Sequence, residues 1–204
     1  TPQLTSLQGH LDLSGFISPY SDVVALMVLE HQSHMMNLIT YLDWEARVAA
    51  SDAAGTGHLL ISAPAVSANE IPDGVQKIAR ELVDYMLFVD EEPLPAPVIG
   101  SSGFTESFNA EGPHDKRGRS LHQLDLHHWL MRYPCSYMIY SAAFDALSPM
   151  AKSAVYQRLW QVLSGQAHDP RYAKRLSRES RQAVVQILRD TKNDLPPYFA
   201  GAVE

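Results

Sequence analysis

The chain has 204 residues, 46% of them hydrophobic, which suits one domain with a sizeable core. Its formal net charge of −7 argues against a nucleic-acid partner, because phosphate binding needs a concentrated basic surface. The longest strongly apolar run, Val23 to Leu29, stops at Glu30 and His31, far short of the ~20 residues of a membrane helix, so no membrane span is expected.

Residues 1–17 show no clear period and read as an irregular lead-in. Ser18-Pro19-Tyr20-Ser21-Asp22 then opens a helix: serine caps orphan amides, proline suits the first turn, and Asp22 favours the positive end of the dipole. From there to about Ala50 the residues Val24, Val28, His31, Met35, Leu38, Leu42, Glu45 and Ala49 alternate in steps of four and three, one continuous helical stripe. Asp52 to Val66 reads as a loop. Ser67 to Glu70 has the spacing of a capping box, and Ile71, Val75, Ile78, Leu82, Tyr85 and Val89 predict a second helix ending near Asp90, antiparallel to the first.

Residues 91–120 are rich in proline and glycine and form a long ordered loop, with a turn or two of helix at Phe104 to Ala110 and the phenylalanines Phe104 and Phe108 pinning it to the body. Leu121 to Tyr133 reads as a helix broken at Pro134, followed by helices over Ser136 to Leu147, from Ser148-Pro149 to Gly165, and from Ser177 to about Lys192. No run alternates like a strand. The fold class is all-α, an irregular bundle of about five to six helices in a single domain, 1–204.

The chemistry concentrates in Glu30-His31-Gln32-Ser33-His34-Met35. His31 and Met35 lie on the core stripe one turn apart. A buried imidazole must satisfy two nitrogens, through a hydrogen-bonded core position or through a metal or haem iron with an outer acceptor on the other nitrogen. Met35 is either packing or the thioether that can ligate haem iron. Glu30, His34, Glu81 and Asp84 supply carboxylates and an imidazole for a di-metal bundle, but the only Glu-x-x-His, Glu111 to His114, runs through Gly112-Pro113 rather than along a helix. His128, in step with Leu121, Leu124 and Met131, reads as core or boundary packing. Lys116, Arg117 and Arg119 form a basic cluster that either is solvated or neutralises a carboxylate such as a haem propionate. The lone Cys135, among Tyr133, Tyr137 and Met138, reads as a buried thiol. Thr1 stands at the start and no signal peptide is visible, so the expectation is the C-terminal part of a longer protein.

The run Ser18 to Gln32 with Met35 and Asn37 to Thr40, then Gly100 to Phe108, Gly118-Arg119-Ser120, Arg132 to Ser141 and Tyr156 to Gly165, resembles the C-terminal half of an uncharacterised bacterial family. Its members are exported proteins whose upstream region carries a single CxxCH, and they look like c-type cytochromes. The resemblance implies a periplasmic or otherwise exported protein acting in electron transfer or redox sensing. It implies a haem c, carried by an upstream region or chain because this sequence has no CxxCH, and a redox partner protein. His31 is then the expected axial ligand, with Met35 second, Arg117 and Arg119 beside the propionates, and loop 91–120 over the edge of the site. A helical interaction domain without cofactor and the di-metal bundle are the alternatives.

Overall fold

The computed structural model describes residues 9–15, 22–55 and 70–203. Among them are six α-helices, α1 (Val23–Ala54), α2 (Asp73–Met86), α3 (Phe104–Ala110), α4 (Ala142–Asp145), α5 (Pro149–Ser164) and α6 (Arg178–Thr191), with three 3₁₀ turns and no strand. The fold is an all-α bundle. No helix among the described residues is long and apolar enough to cross a membrane.

Asp22 caps α1, accepting the Val24 and Ala25 amides at 2.9 and 3.2 Å, and Gly55 ends it in the left-handed conformation. The expected caps Ser18 to Ser21 and Ser67 to Asn69 lie outside the described residues. The expected stripe is buried from Val24 to Leu42, but further along it is Ala46 and Ala50 that are buried rather than Glu45 and Ala49. A straight helix turns 3.6 residues per turn, so a strict 3.5-residue stripe drifts off the contact over several turns.

α2 starts at Asp73 and ends at Met86, four residues before the expected stop. It packs against both α1 and α5, which is why apolar residues on more than one of its faces are buried. Gly74 lies against Glu45, whereas Tyr85 and Phe88 lie against His31, so α1 and α2 run antiparallel as expected. Asp43 accepts the Ser148 amide at 2.7 Å and fixes the start of α5 on α1. α5, with its first-turn proline and closing Gly165, and α6, capped by Ser177, follow their sequence signals.

Segment 91–120 is held along its length. Leu94 and Val98 donate to the carbonyls of His128 and Leu126, both at 2.8 Å, and Asp22 accepts from the Ser101 and Ser102 amides and the Ser102 hydroxyl. Phe104 stacks on Phe108, which is buried. Cys135 is fully buried, and that burial pushes its thiol pKa up to about 12.

The expected helix Leu121 to Tyr133 does not form. The segment doubles back as a hairpin-like turn: Asp125 and Leu126 donate to Leu130 and Trp129, Arg132 donates to Gln123, and Leu124 bridges Met131. The Asp125 carboxylate accepts the amides of His128 and Trp129, both at 3.0 Å, offering the backbone an alternative to helical bonding. His128, without a helix to turn it inward, has an 80% exposed side chain instead of the expected packing. The expected helix Ser136 to Leu147 is split into a 3₁₀ turn, Tyr137–Tyr140, and the short α4, because Ser141 is extended and accepts the Phe144 amide.

Candidate functional site

The site lies where the first third of α1 meets the end of α2. α2 closes with a residue other than glycine in the left-handed conformation: Phe88 has φ 55°, its amide bonds Tyr85 O, and the Val89 amide reaches Asp84 O. A bulky residue there is strained by about 1–2 kcal/mol. The conformation places the Phe88 ring on His31, 4.6 Å between centroids and 21° from parallel, while Tyr85 stacks on the same imidazole at 5.2 Å and 16°. His31 is 2% exposed.

Ser136, fully buried, approaches from the far side of the chain. Its Oγ accepts the Met138 amide at 3.1 Å and lies 2.7 Å from His31 Nε2. A hydroxyl oxygen accepts two hydrogen bonds and donates one, so Ser136 pairs with either tautomer of the His31 ring while holding the Met138 amide. Among the described residues Nδ1 has no hydrogen-bond partner. Burial first, and then the neighbouring His34, hold the His31 pKa down to about 4, so the ring is neutral near pH 7.

His31 forms part of the wall of a groove of about 1050 Å³. Its apolar surface comes from Leu26, Met27, Phe88, Leu94 and Leu130. The rim carries six carboxylates, Glu30, Glu81, Asp84, Asp90, Glu91 and Glu92, against three cations, Lys77, Arg80 and Arg171. Several are committed to structure: Arg171 bonds Asp84 and Asp90, Glu91 bonds Arg175 and the Leu130 amide, and Glu92 bonds Lys174. The start of segment 91–120 thus edges the groove.

An axial ligand must present a free nitrogen lone pair to open space. Here Nε2 is engaged by Ser136 at 2.7 Å, and the ring is almost wholly covered. Met35 is fully buried within the core. Arg119 bonds Asp115 at 2.7 Å and Gln186 of α6 at 2.9 Å, and the Arg117 amide bonds the same Asp115; neither arginine borders the groove. The described residues as placed do not fit an axially ligated haem. Nor do they gather three or more His, Cys, Asp or Glu side chains able to hold a metal ion, so no di-metal site is assembled among them.

Ser136, Tyr85 and Phe88 carry no motif, and only Tyr85, on the α2 stripe, had a sequence signal. A second semi-buried imidazole also lacked one. His122 packs against Phe108 and Tyr137, its Nδ1 unpartnered, and burial lowers its pKa. Comparison with protein-family models, curated proteins and solved structures gives no match to this chain.

Proposed function

We propose that this chain is a helical ligand-binding domain that receives a small, largely apolar molecule in the groove between α1 and α2. One observation carries the reading: a neutral, nearly buried imidazole stands on the wall of an apolar groove whose volume suits a small molecule. The strained backbone at Phe88 supports it, since an unfavourable conformation is kept at the point where it furnishes the wall.

The test uses Nile red, a neutral apolar dye, and the variant Leu26→Glu, at a position 54% exposed and therefore dispensable to the core. The expected result is one saturable site, weakened about tenfold or more in the variant with unchanged far-ultraviolet circular dichroism. Absence of saturable binding, or equal binding by the variant, refutes the reading.

The cytochrome-like reading, with an upstream haem, export and a redox partner, is second. The same neutral imidazole beside an apolar groove favours it, but it requires the nearly covered His31 ring to be opened to the iron. A visible spectrum of the native full-length protein, oxidised and then dithionite-reduced, decides. A Soret band with resolved α and β bands supports it; a featureless spectrum removes it.

A further inference from the structure

We infer that the outward face of α1 is a dimer interface, on which a second copy of this chain packs its own α1 antiparallel. The inference goes beyond the ligand-binding reading and does not depend on it.

α1 is apolar on two faces. One, through Val24, Met35 and Leu42, is buried in the bundle. The other carries Leu26, Leu29, Met36, Tyr41 and Trp44, whose exposures are 54, 56, 38, 53 and 55%. A helix that is apolar all round needs cover all round. At 100° per residue these five fall within an arc of about 140°, opposite the buried stripe. The polar residues between them have turned to their own helix: the Ser33 and Thr40 hydroxyls donate to the Leu29 and Met36 carbonyls, both at 2.8 Å. They therefore ask little of a partner. Charge is scarce as well. Glu30 stands on the edge shared with the groove, and Asp43 and Arg47, beside Trp44, pair with each other at 2.7 Å. Two copies of a chain with net charge −7 repel, so a contact between them belongs on a face such as this.

The arrangement of the face selects a second copy as its occupant. The largest apolar groups form two patches, the aliphatic pair Leu26 and Leu29 and the aromatic pair Tyr41 and Trp44. Leu26 and Trp44 stand equally far from position 35, and so do Leu29 and Tyr41. A two-fold axis beside that position lays each aliphatic patch on the aromatic patch of the other copy, and both ends close at once. It also opposes the two helix dipoles. Parallel pairing would instead set Trp44 on Trp44 and leucine on leucine. The five side chains leave about 500 Å² open per copy, so closing the face buries about 1,000 Å² in total, the threshold of a specific interface. The dimer is accordingly weak and reversible.

The test is sedimentation equilibrium of the intact chain between about 5 and 500 μM, where the mass should rise from 22.7 kDa toward twice that value. Leu29→Glu and Trp44→Lys, at exposed positions and so without cost to the core, should each weaken association about tenfold or more with unchanged far-ultraviolet circular dichroism. Mixed in equal amounts, the two variants should pair with each other about tenfold more tightly than either pairs with itself, because antiparallel packing brings the new carboxylate to the new ammonium. Neither position lines the groove, so both variants should bind Nile red as the parent chain does, and the two readings fail separately. A monomer at every concentration overturns the inference in favour of a different occupant. A dimer indifferent to both substitutions overturns it by placing the contact elsewhere. Loss of the dimer in each variant without recovery in the mixture overturns the antiparallel pairing.

Discussion

Replacing Ser136 by alanine probes the contact on which the site is built. Ser136 is fully buried, and its oxygen serves both the Met138 amide at 3.1 Å and His31 Nε2 at 2.7 Å. Ser136→Ala leaves two buried polar groups without partners. Each such group costs about 1–3 kcal/mol, and part is recovered because the hydroxyl no longer has to be desolvated, so the expected net loss is about 3 kcal/mol. With a urea slope of about 2 kcal/mol/M, the unfolding midpoint falls by about 1.5 M. The double variant Ser136→Ala/His31→Phe removes one stranded group, and its loss should fall short of the sum of the singles by about 1–2 kcal/mol. A loss for Ser136→Ala below about 0.5 kcal/mol, or strict additivity of the pair, would show that the hydrogen bond does not hold His31.

Four further outcomes are expected. His31 has a folded pKa of about 4 against an ordinary 6.5, so the unfolded chain binds the extra proton between those values. Its contribution is therefore whole above pH 6.5 and lost progressively down to pH 4, by about 3 kcal/mol in all, and His31→Phe should flatten the stability profile in that window. Gly112→Ala sets a Cβ 2.0 Å from His122 Nδ1 at φ 75°, so a loss of about 3 kcal/mol is expected, read as a lower Tm; an unchanged Tm would contradict the packing of His122. Asp22 serves both as the α1 cap and as the anchor of Ser101 and Ser102. Burial acts to raise its pKa, but the hydrogen bonds from Ser102, Ala25 and Ser101 outweigh that and hold it at about 2. Asp22→Ala should cost about 3 kcal/mol in urea unfolding and speed amide hydrogen exchange at residues 101–102, whereas an effect confined to the helix start would separate the cap from the anchor. Cys135 should stay unreactive to a thiol reagent in the native protein and react fully in denaturant, and rapid native labelling would contradict its burial.

What was legible was local. The caps and stops of α5 and α6, the length of α1 and the burial of His31, Met35 and Cys135 follow from residue spacing and capping chemistry, which act within one or two turns. The expected helix over Leu121 to Tyr133 shows where such reasoning stops, because its apolar residues suit a helix as well as a tight turn. The carboxylate of Asp125 and the pairing with Leu94 and Val98 from an earlier segment select the turn. The site shows the same limit more sharply. That His31 would be buried could be read from its place on the stripe, but which nitrogen is occupied depends on Ser136, 105 residues away. Its aromatic neighbours likewise depend on how α2 ends, at a left-handed Phe88 that no glycine announced. Periodicity, capping and composition thus determined by themselves an all-helical chain with an imidazole on its core face. Tertiary structure decided the rest, because the partner of a buried polar group is set by whatever the fold brings within about 3 Å, and short-range sequence patterns do not encode that distance.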